Sequence, residues 1–216
     1  MIFHIFLLLF PLLNSALSNN FFNKITKNDS KITANLLSAL HSYLYCFYGM
    51  YFLLTDNFNT IYILSNFSIS YFIWDSYRIL YSENENPIYI IHHIIAINTS
   101  DCILNKANNM NLLVFLFTVA ELSNIVTYPL YHMIRSNKIL NNLYFTEESI
   151  NFLKEIQTLL SFIGRFLIYT YVFIFNDSLS NDIILYIELI IVYVLGNFWL
   201  FQQFRDIYTQ NTIKNS

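Results

Sequence analysis

Ser70–Ala96 reads SYFIWDSYRILYSENENPIYIIHHIIA. Two apolar runs flank a short polar loop. Into those runs the chain sets an acid, Asp75, a base, Arg78, and a histidine pair, His92 and His93. Ionisable groups inside apolar runs are expensive to bury, so each calls for a partner.

The rest of the chain has the same character. Its 216 residues are 56% hydrophobic and 12% charged, against roughly 25% charged in ordinary soluble domains. Glycine and proline number three each, while Phe supplies 21 residues and Tyr 17. This is a membrane composition. The net charge of -3 and the lack of a basic stripe exclude nucleic acid as an expected partner. Cys46 and Cys102 both fall in apolar segments and read as buried free thiols rather than a disulfide framework.

Outward from the central stretch, apolar segments fall near 1–17, 33–54, 61–81, 88–104, 111–133, 156–175 and 183–203. Each approaches the roughly 17–25 residues that cross a bilayer. Backbone groups in hydrocarbon must be satisfied within the segment, so each reads as a helix. The expected fold is all-α, a polytopic transmembrane bundle of about seven spans, or six if the first is a cleaved signal. Asn14–Ser18 has the small-residue look of a cleavage region, but no positive region precedes the apolar run. With all seven spanning, Lys24, Lys27, Lys31, Arg78, Arg135, Lys138, Lys154, Arg205 and Lys214 collect on one side, leaving Lys106 opposite and Arg165 within a helix. By the positive-inside rule the N-terminus is lumenal and the C-terminus cytosolic. The sequon Asn28–Ser30 is then cytosolic and stays unglycosylated. Thr146 is expected to cap the helix that follows it.

Six ionisable side chains fall inside the apolar segments: His41, Asp75, His92, His93, Glu121 and Arg165. A charge at mid-helix costs about 2.5–3.5 kcal/mol on insertion, so these groups are expected to face inward and pair. At about 1.5 Å per residue, Asp75 and the histidine pair lie at a similar depth, roughly 7–9 Å below the cytosolic surface, with His41 near the same layer. Glu121 and Arg165 fall near mid-segment and read as an ion pair, structural before catalytic. The residues Thr118, Glu121, Asn124 or Ile125, and Tyr128 form one polar stripe; Thr158, Ser161, Arg165 and Tyr169 form another. Consecutive helical positions diverge by about 100°, so His92 and His93 face different neighbours. His41, Asp75, His92 and His93 match a zinc ligand set in number, but nothing in their spacing favours one, and no metal is expected. No Gly-rich phosphate loop, nucleophile elbow or CxxC is present.

Several motifs stand in order along the chain. They are Leu40–Ser42, Ser70–Asp75 with its Trp74-Asp75 pair, Ile91–Ile94 with its two histidines, Ala120–Asn124, Arg165 and Asn197–Trp199. In order and spacing this set resembles the TLC-domain family, which includes translocation-associated proteins, ceramide synthases and a ceroid-lipofuscinosis protein. The resemblance covers about residues 30–205. It implies a first span and cytosolic linker over 1–32, a TLC domain over 33–205 and a cytosolic tail over 206–216. It further implies endoplasmic-reticulum or other endomembrane residence and a role in membrane lipid metabolism or homeostasis. Carried over from ceramide synthases, His92 and His93 are candidate catalytic residues, Asp75 orients them, and acyl-CoA is the possible substrate. Ala96 stands where the synthase motif has Thr, and Glu121 stands alone where the synthase helix has two acids, so the resemblance is to the small TLC-domain-containing branch. His41, Glu121, Arg165 and Asn197 are then a lipid-binding or structural polar core. Membrane lipid is the expected partner, and the sequence points to no protein partner. A ceramide-synthase-like N-acyltransferase and a non-enzymatic lipid-binding or cargo protein are the alternative functions.

Overall fold

The computed structural model describes residues 2–18, 29–81, 88–105, 109–140, 145–176 and 182–214. The sequon asparagine Asn28 and the topology markers Lys24, Lys27 and Lys106 lie outside them. Among the described residues the structure is all-helical, with no strand. The chain divides into two compact units, Met1–Thr118 and Val119–Ser216.

The first unit contains α1 (Ile2–Leu17), α2 (Ser30–Thr55), α3 (Phe58–Leu80), α4 (Ile88–Leu104) and the start of α5 (Met110–Leu122). Asp29 caps α2 by accepting the Lys31 and Ile32 amides at 2.9 and 3.1 Å. The α2–α3 turn takes only two residues. Asp56 adopts the left-handed region (φ 52°) and its amide donates to the Phe52 carbonyl, an arrangement a short polar residue tolerates. Asn57 then caps α3 by accepting the Asn59 amide at 3.2 Å.

Helix α3 is the centre of this unit, packing against α1, α2 and, most extensively, α4. Its buried face carries Ser65, Ser68 and Ser70, all fully shielded; small side chains let helices approach closely. Larger residues fill the remaining space. Phe10 of α1, also fully buried, lies 5.0 Å from the Phe67 ring, 5.4 Å from Tyr71 and 5.8 Å from Trp74. The first apolar segment is thus an integral part of the packed unit. Gly49 of α2 sits against Thr118, whose hydroxyl occupies the space a Cβ would need.

The second unit holds the end of α5, α6 (Asn124–Leu140), α7 (Glu147–Ser161), a π-helical stretch over Phe162–Ile168, α8 (Tyr169–Phe175) and α9 (Ile183–Lys214). A turn at Ser123 separates α5 from α6, and Pro129 within α6 removes one ladder donor. Asn137 closes the α6–α7 connection, donating to the Phe145 carbonyl (2.8 Å) and accepting its amide (2.9 Å). Thr146 caps α7 through the Ser149 amide, as its position in the sequence suggested. Helix α7 packs on α6 and α9, and the π-helical stretch packs on α9.

Three helical stretches are long and apolar enough to cross a membrane: Met110–Ile139, Glu147–Phe175 and Ile183–Ile207. Helices α1 and α4 are apolar but shorter, at 16 and 17 residues. Helices α2 and α3 reach 26 and 23 residues and carry more hydroxyl and amide groups. The sixth segment begins earlier than its apolar run suggests, because the capped turn at Glu147–Ser149 is helical although polar. The seventh likewise continues as helix to Lys214 rather than ending near 203.

Candidate functional site

The ionisable residues of the central stretch come together in the first unit. Asp75 and Arg78 stand one turn apart on α3, and the Arg78 Nε donates to Asp75 Oδ1 at 2.7 Å. Residues three apart share a helix face, so this contact is built into the local sequence. The other carboxylate oxygen, Oδ2, lies 3.5 Å from His93 Nε2 on α4. Both Asp75 and His93 are buried, while the Arg78 side chain is 26% exposed.

The opposite ring nitrogen of His93, Nδ1, lies 3.1 Å from the hydroxyl of Ser76. With Asp75 ionised, the carboxylate only accepts and favours the tautomer in which Nε2 carries the imidazole proton. In that tautomer Nδ1 is the bare nitrogen and accepts from the Ser76 hydroxyl. A buried imidazole therefore sits between an anchored carboxylate and a hydroxyl. At 3.5 Å the Asp75 contact is at the long limit for a hydrogen bond, a separation common in catalytic sites before substrate arrives. This order of groups prepares an imidazole to take a proton at Nδ1 while the carboxylate stabilises the charge that forms.

The structure sorts the four residues expected to share a layer. His92 is half-buried, its ring 5.8 Å from His93 and edge-on to Phe72 at 6.2 Å. His41 belongs to a different environment. Its Nε2 pairs with the Ser68 hydroxyl at 3.0 Å and its ring stacks on Tyr71 at 4.2 Å. Phe72 packs against His41 at 5.0 Å and against His93 at 5.2 Å. Tyr71 in turn donates to Ser38 at 2.7 Å. His41 thus has its polar partner in Ser68 and its packing in Tyr71 and Phe72, and Phe72 is the ring it shares with His93. Among the described residues no group of three or more His, Cys, Asp and Glu side chains stands close enough to hold a metal ion.

A separate polar cluster occupies the second unit. Arg165 donates from Nε to the Ser123 hydroxyl (2.8 Å) and from its terminal nitrogen to Asn124 Oδ1 (2.6 Å). Asn124 donates onward to Glu121 Oε2 at 3.2 Å, and Glu121 is buried. The expected Glu121–Arg165 association is therefore organised through Asn124. The Arg165 guanidinium also lies 5.7 Å from the Trp199 ring centre. Gly196 flanks its stem, where a Cβ would stand 3.4 Å from Arg165 Cδ. Asn197, assigned to the polar core from sequence, uses its amide on its own helix, donating to the Tyr193 carbonyl at 2.8 Å.

Sequence reasoning missed Ser76 and Ser123. Serine in an apolar helix usually bonds back to its own backbone, as Ser38 and Ser70 do here, so its type carries no signal of a distant partner. Searches for known relatives add nothing to this geometry: no family model, no curated protein and no solved structure matches the chain.

Proposed function

We propose that the chain is a seven-span integral membrane protein of TLC-domain type, resident in the endoplasmic reticulum or a related endomembrane. In this reading it acts in membrane lipid metabolism by transferring an acyl group from acyl-CoA to a lipid acceptor. The observation that carries the proposal is the buried His93 imidazole facing the Asp75 carboxylate at 3.5 Å. A general base of this kind typically contributes 10²–10⁴-fold to a transfer reaction. The ordered TLC-like motifs support the lipid context, and the near-cytosolic depth of the histidine segment suits a water-soluble CoA donor. The large apolar side chains exposed on the helices, among them Leu8, Phe47, Leu54 and Phe201, suit a lipid surround.

In the proposed reaction His93 withdraws a proton from the attacking group, and Asp75 holds the imidazolium that results. Arg78 fixes Asp75 from the solvent-accessible side. His92, half-buried beside Phe72, is given no proton-transfer step. The test is acyl-CoA consumption by purified protein in lipid nanodiscs. His93→Ala is expected to lower turnover by about 100-fold or more. Full turnover in His93→Ala overturns the proposal.

A further inference from the structure

Ser76 is the one member of the Asp75–His93 arrangement to which the proposed chemistry has so far given no part. Its neighbours in kind show what a helical hydroxyl does here by default. Ser38, Ser70, Thr118 and Thr158 each donate to the carbonyl four residues back, at 2.7–3.0 Å. Ser76 instead meets Nδ1 of an imidazole from the adjacent helix at 3.1 Å. It is half-buried, whereas Asp75 and His93 are buried. A hydroxyl paired with a base that a third group orients is the signature of an activated nucleophile.

We infer that Ser76 is the residue that receives the acyl group, forming an oxygen-ester intermediate; the inference rests on the acyl-transfer reading above. Ser76 Oγ attacks the thioester carbonyl carbon and passes its proton to His93 Nδ1. The carbon–sulfur bond breaks, and the CoA thiolate leaves with that proton. The acceptor amine or hydroxyl then attacks the Ser76 ester, giving its own proton to His93. The carbon–Oγ bond breaks, and the serine oxygen takes the proton back. No oxidant or further reactant is needed. Adjacent positions on α3 supply both the nucleophile and the carboxylate, and α4 supplies the base between them.

The experiment uses the full chain in lipid nanodiscs with palmitoyl-CoA and no added acceptor. Intact-mass measurement, peptide mapping and treatment with neutral hydroxylamine follow. The expected result is one palmitoyl group on the peptide containing Ser76, retained through hydroxylamine because an oxygen ester resists it. Ser76→Ala loses the adduct and about 100-fold or more of turnover. Ser76→Cys, close in size, gains an adduct that hydroxylamine releases, which shows a reactive position in a folded protein. A palmitoyl group on His93 or a native cysteine, or undiminished turnover in Ser76→Ala, overturns the assignment and leaves acyl transfer standing. Wild-type protein that neither consumes palmitoyl-CoA nor becomes acylated overturns both.

Discussion

Replacing Phe10 with alanine tests whether the first apolar segment is part of the packed protein. Phe10 is fully buried, and the rings of Phe67, Tyr71 and Trp74 surround it at 5.0–5.8 Å. Truncation leaves a phenyl-sized void of about 100 Å³, and at ~24 cal/mol per Å³ that void costs about 2.5 kcal/mol. In a soluble protein the lost transfer from water would add to this. In the proposed membrane setting that addition is small, because acyl chains are as apolar as the core. The expected loss is therefore about 2–3 kcal/mol, or roughly 30- to 150-fold in the unfolding equilibrium. For a chain of this length it corresponds to a melting temperature lower by roughly 5–10 °C. The assay is thermal unfolding in nanodiscs, followed by tryptophan emission. Trp74 stacks on Phe10 with an interplanar angle of 21°, so its emission reports the site directly. Leu8→Ala is the control: Leu8 lies on the same helix but is 66% exposed, and its truncation should cost less than about 0.5 kcal/mol. Equal effects from Phe10→Ala and Leu8→Ala would refute the packing argument. So would a purified chain that begins after residue 18.

Asp75→Asn keeps the shape of the side chain but removes the charge facing His93 and Arg78; it is expected to lower acyl transfer by about 100-fold or more. The same change costs only about 1–2 kcal/mol of stability, because Arg78 is partly exposed and turns to solvent, and thermal unfolding checks that separation. In the second unit, Arg165→Met leaves the buried Glu121 without its cationic neighbour and should cost about 3–5 kcal/mol. Adding Glu121→Gln should recover much of it, and additive losses in a double-mutant cycle would break the link through Asn124. Gly49→Ala places a Cβ on the Thr118 hydroxyl and should cost about 1–3 kcal/mol. Thr118→Ala should suppress that cost, as read by unfolding of the single and double variants. For the proposed topology, glycosylation mapping should find Asn28 unmodified; glycan there would put the first connection in the lumen.

Helix content was readable because apolar runs of spanning length admit few alternatives, and the described structure is helical throughout. Segment ends were less readable. The apolar runs stop where lipid-facing composition stops, but hydrogen bonding carries α7 back to Glu147 and α9 on to Lys214. The pairing of Asp75 with Arg78 followed from their spacing of three on one helix. The contact of Asp75 with His93 followed only as a match of depth, which did not reveal that His41 has its hydrogen bond with Ser68. Depth is one coordinate; the contacts of Phe72 with both His41 and His93 depend on the other two. Asn197 shows the same limit, since a polar type in an apolar helix did not reveal that its amide bonds one turn back on the same helix.

The amino-acid sequence by itself determined an all-helical chain, the segments long and apolar enough for a membrane, and the few ionisable groups that need partners there. Those properties follow from hydropathy and from spacing along one helix, which are local. Which nitrogen of His93 meets Asp75, that Ser76 takes the other, and that Asn124 stands between Glu121 and Arg165 were decided only by the tertiary structure. Each depends on the rotation and offset of one helix against another, set by many side chains packing at once, among them Gly49, Ser68 and Phe72.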